Sequence, residues 1–84
     1  MAFEENEEKT TASDWAGLFA RELGTTPPSK EEIDDLLAIA GLAAHASERV
    51  AAPLSTWLVG RAGVEPAAAK EAAARLAAML DRSK

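Results

Sequence analysis

Alanine content is the feature that most limits how this chain can fold. Twenty of its 84 residues are alanine, and only twenty others are large apolar residues. Alanine has the highest helix propensity of all residues but contributes little buried area. Isoleucine and valine, which favour strands, occur at five positions and form no alternating run. The composition therefore predicts an all-α protein with a small core.

Cysteine and charge exclude several classes of protein. The chain has no cysteine, which excludes a disulfide scaffold and a thiolate metal site. Its net charge of −5 argues against a nucleic-acid or anionic-membrane binder. The charge is uneven, because residues 1–35 carry −7 and residues 36–84 carry +2. Nucleic acid is therefore not expected as a partner.

The N-terminal segment differs in composition from the rest of the chain. Residues 1–12 are polar, carry four glutamates and show no hydrophobic periodicity, which predicts a disordered acidic tail. Residues 13–84 are predicted to form a single helical domain. Residues 1–12 lack the basic start and the apolar core of a signal peptide, and no apolar stretch reaches about 18 residues, so we expect no membrane contact and a soluble, cytoplasmic protein.

Hydrophobic spacing and capping residues predict the first two helices. The first runs from Asp14 to Leu23, with Ser13 as its N-cap and Gly24 as a left-handed C-terminal residue. Its core-facing residues are predicted to be Trp15, Leu18, Phe19 and Leu23. The second helix follows the capping box of Ser29 and Glu32 and is predicted to extend to about Arg49.

Two further helices complete the predicted fold. The third opens near Pro53, at the first helical position that proline favours, and stops at Gly63. The fourth opens at Pro66 and runs to about Asp81. Its predicted core stripe is rich in alanine and comprises Ala69, Ala72, Ala73, Leu76, Met79 and Leu80. The sequence thus predicts a compact four-helix bundle behind the acidic tail.

Polar residues gather around the junction between the second and third predicted helices. This candidate site comprises His45, Glu48, Arg49, Ser55, Thr56 and Trp57. On one continuous helix, His45, Glu48 and Arg49 would share a face. One interpretation is structural, with His45 and Arg49 donating to carbonyls at the helix end. The other is an anion or nucleotide site, in which Arg49 acts with the amides of residues 54–56 at the start of the third helix.

Catalytic, metal and cofactor sites are not predicted. His45 is the single histidine, so a zinc site lacks ligands. The acidic start of the second helix lacks the glycine loop of a calcium site. A pairing of His45 with a nearby hydroxyl lacks a nucleophile elbow and an oxyanion loop. The helix–turn–helix spacing of residues 54–76 places mostly alanines where base readout needs Arg, Asn or Gln.

The run AAHASERVAAPLSTWLVG, residues 43–60, resembles the signature of a small actinobacterial helical domain of uncharacterised function. The family pattern has Ala-Ala-His, an arginine, Ala-Pro-Leu, hydroxyl residues, an aromatic residue and Leu-Val-Gly. This sequence matches it with His45, Arg49, Ala52, Pro53, Leu54, Ser55, Thr56, Trp57 and Gly60, among others. The resemblance covers about residues 13–80, with Val50 where the family tends to have proline.

The resemblance implies an accessory function. Members of the family occur alone, or joined to or encoded beside enzymes of molybdenum-cofactor maturation, notably the guanylyltransferase. We therefore expect a non-catalytic interaction module with a protein partner, whose working surface is the region from His45 to Thr56. The alternative is a small anion- or nucleotide-binding domain that uses His45, Arg49 and Thr56. A homodimer that uses Trp57 or the alanine-rich fourth helix is a third possibility.

Overall fold

The computed structural model describes residues 10–82, which contain four α-helices and no strand. The helices are α1 (Ala12–Leu23), α2 (Lys30–Ala46), α3 (Ala51–Ala62) and α4 (Pro66–Arg82). The predicted all-α, four-helix architecture is confirmed. Most of the predicted tail lies outside the described residues, and Ala12, its last residue, opens α1. None of these four helices has the length and hydropathy required to cross a membrane.

Side-chain caps start the first two helices. The Ser29 hydroxyl accepts a hydrogen bond from the Glu32 amide at 3.1 Å, and the Glu32 carboxylate accepts one from the Ser29 amide at 2.8 Å. The predicted capping box is therefore confirmed. The predicted cap of α1 is wrong, because Thr11 rather than Ser13 accepts from the Asp14 amide. Alanine at position 12 favours the helical state, so the helix starts two residues earlier.

Two glycines end helices in the left-handed conformation. Gly24 has φ 75°, and hydrogen bonds from Gly24 N to Arg21 O and from Thr25 N to Ala20 O form a Schellman motif. Gly63 has φ 68° and donates to Val59 O at the end of α3. Both predicted helix stops are confirmed.

The junction between α2 and α3 differs from the prediction. α2 ends at Ala46, not near Arg49, because Ser47 leaves the helical conformation with φ −130° and ψ −102°. Serine can hydrogen-bond to nearby backbone groups, so it competes poorly as a helix-interior residue. α3 begins at Ala51, so Pro53 is its third residue and not its first. Proline is tolerated there because amides of the first turn have no helical acceptor.

The second helix is the centre of the fold. It packs extensively against both α3 and α4, whereas α1 has no comparably extensive contact with any described helix. The buried residues of the described chain are Ile39, which is 2% exposed, and Ala20, which is 6% exposed. This core is even smaller than the composition predicts.

The side of α1 that contacts α2 is rotated by about 100° from the predicted one, since Ala16 and Ala20 each follow a predicted core residue by one position. Ala12 and Ala16 line a small cavity with Ile33 and Leu37 of α2, and Ala20 is buried. The large residues predicted to face the core are exposed: Trp15, Leu18, Phe19 and Leu23. The contact between α1 and α2 is slight, so these large side chains stay uncovered. We call the four exposed residues the α1 stripe.

Candidate functional site

His45 lies exposed in the last turn of α2. It lines a groove of about 440 Å³ between the C-terminal ends of α2 and α4, and Asp81 lines the same groove. The remaining lining residues are alanines and leucines. Within residues 10–82 no group of three or more His, Asp or Glu side chains could hold a metal ion. The groove therefore combines one imidazole and one carboxylate with apolar walls.

Glu48 and Arg49 lie in the exposed turn between α2 and α3. Because α2 ends at Ala46, the helix face predicted for His45, Glu48 and Arg49 does not form. The carbonyl oxygens of Glu48 and Arg49 accept from the amides of the first two residues of α3. No side-chain hydrogen bond joins His45 or Arg49 to a carbonyl of the described chain, so the predicted helix-end contact is wrong as well.

The predicted anion site loses its amide donors in this geometry. The amides of Ala51 and Ala52 donate to the carbonyls of the preceding turn at 2.9 and 3.1 Å, and Pro53 has no amide hydrogen. Residues 54–56 lie beyond the first turn of α3, where amides donate to carbonyls of the helix itself. The start of α3 therefore presents almost no free donor to an anion.

Ser55 and Thr56 point into different surroundings. The half-buried Ser55 lines apolar grooves that α3 forms with α2 and α4. Thr56 lines a separate cavity of about 420 Å³ that also includes Glu32. Its hydroxyl donates to the carbonyls of Pro53 at 3.1 Å and Ala52 at 3.4 Å. The two hydroxyls are thus not part of one site with His45.

Trp57 lies on the outward side of α3 and is 59% exposed. The Arg61 guanidinium lies 5.0 Å from the centre of its ring, within the range of a cation–π interaction. Leu54, three residues before Trp57, is also exposed. We call Leu54, Trp57 and Arg61 the α3 face. Their i, i+3, i+7 spacing is visible in the sequence.

A second surface is a groove between α3 and α4. It holds about 350 Å³, its floor is Ile39, and its walls include Leu58 from α3 and Ala72 and Leu76 from α4. All but one of its lining residues are apolar, the exception being a serine. We call it the α3–α4 groove. The predicted core stripe of α4 is therefore covered only in part: Ala69 and Ala73 are half-buried, whereas its large residues, Leu76, Met79 and Leu80, are exposed.

Comparison with known proteins adds a family. Residues 7–84 match the model of a domain of unknown function, DUF6457. The chain belongs to the DUF6457 family. No curated protein and no solved structure matches this DUF6457 domain. The resemblance to a helical domain of uncharacterised function is thereby confirmed as far as the family is concerned, while the association with molybdenum-cofactor enzymes stays a prediction.

Proposed function

We propose that this DUF6457 domain is a non-catalytic interaction module that contacts a protein partner through the α3 face. The exposed Trp57 with Arg61 above its ring is the observation that carries this function. Tryptophan and arginine are the residues most enriched among those that dominate binding energies at protein interfaces. The exposed leucine of the same face, Leu54, extends the apolar surface by one turn.

The geometry favours binding at the α3 face in two ways. The cation–π contact restrains the Arg61 side chain before a partner arrives, so less rotamer entropy is lost on binding. The indole and the guanidinium together suit a partner that offers an apolar pocket beside a carboxylate. Of the six residues predicted from the sequence, Trp57 is central to this surface, and Glu48 and Arg49 lie exposed in the turn that precedes α3.

The class of partner comes from the family resemblance. Enzymes of molybdenum-cofactor maturation, the guanylyltransferase above all, are the partners that this resemblance implies. In that pathway the domain would act as an accessory or docking unit, without chemistry of its own. The exposed apolar residues of the described chain support a binding role in general, and the identity of the partner rests on the resemblance.

Calorimetric titration of the full chain against the molybdenum-cofactor guanylyltransferase tests this function. We expect the wild-type chain to bind and Trp57→Ala to bind about 30-fold more weakly, which corresponds to about 2 kcal/mol. Leu37→Ala is a control, because Leu37 lies on α2 outside both the α3 face and the α1 stripe and is 62% exposed. Absence of wild-type binding contradicts the proposed partner, and equal losses for both variants contradict the proposed surface.

A further inference from the structure

We propose that the protein forms a homodimer in which the α1 stripe of each copy docks into the α3–α4 groove of the other. This self-association uses neither Trp57 nor any partner protein. It therefore stands apart from the binding function assigned to the α3 face. Each chain carries both the α1 stripe and the α3–α4 groove, and neither surface is covered by another part of the same chain.

The α3–α4 groove has the shape and composition of a missing helix position. α3 and α4 both pack on α2, and the groove between them opens above Ile39. One more helix, packed on α2, α3 and α4 at this position, would complete the buried core of a bundle. Small residues such as Ala72 lower one wall of the groove, so bulky side chains of an incoming helix can enter it.

The helix α1 does not fill the groove of its own chain. Ala12 and Ala16 share a cavity with Leu37 of α2, whereas Ile39 of α2 forms the floor of the groove. The α2 residues that line this cavity, Ile33, Leu36 and Leu37, lie about 60–160° around α2 from Ile39, so α1 packs beside the groove and not over it. The stripe residues consequently remain exposed in the single chain.

The α1 stripe has the pattern of a helix that binds in a groove. Its four large residues recur at i, i+3, i+4 and i+8, as in amphipathic helices that dock through one apolar side. The rings of Trp15 and Phe19 already stack, with centroids 5.7 Å apart and planes inclined by 24°. Their relative position is therefore fixed before docking, which lowers the entropy cost of association.

Charge favours this second copy as the occupant. Glu22 lies on the same side of α1 as the stripe, three residues after Phe19. Arg75 lies on α4 next to the groove residue Leu76, and it has no ion-pair partner among the described residues. Docking α1 into the groove therefore brings an acidic group towards a basic group.

The area is sufficient for a specific dimer. With two half-exposed aromatic rings and two leucines, each stripe exposes on the order of 400 Å² of apolar surface. Two stripes, together with the smaller surfaces of the two grooves, then bury on the order of 1,000 Å² in total, which meets the lower limit for a specific interface. The dimer is closed, because each copy uses its one stripe and its one groove, and neither surface is left free for a third copy.

Sedimentation velocity of the full chain over a range of concentrations tests the dimer. We expect the wild-type chain to sediment as a dimer, and Leu18→Glu in the stripe or Ala72→Glu in the groove to shift it to monomer. Leu18 and Ala72 are exposed in the single chain, so both variants should keep their helix content by circular dichroism. The matched controls Ser13→Glu and Ala67→Glu add the same charge to α1 and α4 at exposed positions outside these surfaces, and should remain dimeric.

A mixing experiment tests the reciprocal contact. Ala72→Glu retains an intact stripe and Leu18→Glu retains an intact groove, so the mixture keeps one of the two contacts. We expect NMR signals of the α1 stripe in labelled Ala72→Glu to shift on addition of Leu18→Glu, but not on addition of unlabelled Ala72→Glu. In the wild type, isotope-filtered spectra should show contacts between the Phe19 ring of one copy and the Ala72 methyl of the other.

The outcomes separate the dimer from the partner-binding function. A wild-type chain that stays monomeric at millimolar concentration overturns the dimer. A dimer that persists in both glutamate variants, or wild-type spectra without contacts between Phe19 and Ala72 of different copies, overturns it as well. Trp57→Ala should lose partner binding but keep the dimer, so failure of one function leaves the other intact.

Discussion

Lys70 and Asp35 form an ion pair between two helices. The ammonium of Lys70 on α4 lies 3.1 Å from a carboxylate oxygen of Asp35 on α2, whose side chain is only 20% exposed. The other ion pair of the described chain, between Lys30 and Asp34, lies within α2 and is largely exposed. The Lys70–Asp35 pair therefore reinforces the contact between α2 and α4.

The interhelix pair should contribute more to stability than the pair within α2. A double-mutant cycle with Asp35→Asn and Lys70→Gln should give a coupling free energy of about 0.5–1 kcal/mol in urea unfolding. The corresponding cycle with Lys30→Gln and Asp34→Asn should give about 0.3–0.5 kcal/mol. Equal coupling free energies in the two cycles would show that the burial of Asp35 does not strengthen its ion pair with Lys70.

Two substitutions, one of Thr11 and one of Ser13, identify the N-cap residue of α1. Thr11→Ala removes the oxygen that accepts from the Asp14 amide, so we expect α1 to lose about 1 kcal/mol of stability. Ser13→Ala changes a residue inside the first turn and should be neutral or slightly stabilising, since alanine is the better helix former. Amide hydrogen exchange of α1 measures both effects. A larger loss for Ser13→Ala would move the helix start back to the position predicted from the sequence.

The core should depend strongly on one isoleucine. Ile39 is the single large side chain that is fully buried in the described chain, so Ile39→Ala should lower the free energy of unfolding by about 2–5 kcal/mol. That loss is a large part of the stability of so small a domain. Ile39→Val, which removes one methylene group, should cost about 0.5–1.5 kcal/mol. Leu37→Ala is the control, because Leu37 is 62% exposed and should cost much less. Thermal unfolding monitored by circular dichroism distinguishes these variants.

Replacement of glycine by alanine should destabilise the protein at Gly24 and Gly63 but stabilise it at Gly41. Gly24→Ala and Gly63→Ala place a Cβ atom on a left-handed backbone and should each destabilise the protein by about 1 kcal/mol. Gly41 lies inside α2, and a Cβ atom there meets nothing within 4 Å. Gly41→Ala should therefore stabilise the protein by up to about 1 kcal/mol. Destabilisation by Gly41→Ala in urea unfolding would indicate a contact that the single chain does not show.

Local signals made the helices predictable. The capping box at Ser29, the left-handed glycines Gly24 and Gly63, and the proline that opens α4 all act within about one turn of chain. Prediction failed where two local signals competed. Thr11 and Ser13 can both cap a helix, and Ser47 stopped α2 at a position where hydrophobic periodicity alone favoured continuation.

The candidate site was less predictable than the helices. The six residues singled out by the sequence are close in the chain, but His45, Ser55 and Thr56 line three different cavities. Their separation follows from the early end of α2 and from the rotation of 100° between consecutive residues of α3. Trp57 was identified as a candidate, whereas its contact with Arg61 required the structure.

The sequence by itself determined the helical class, the number of helices and most of their ends, because propensity and capping depend on neighbouring residues. Only the tertiary structure decided which side of each helix is covered. On α1 the alanines adjoin the large apolar residues around the helix, so local periodicity does not decide which of them face α2. Ala16 faces α2 and Ala20 is buried, whereas Trp15 and Phe19 stay half-exposed. That outcome depends on the shape of α2 and its neighbours, which no local pattern encodes, and it leaves the largest side chains available for binding.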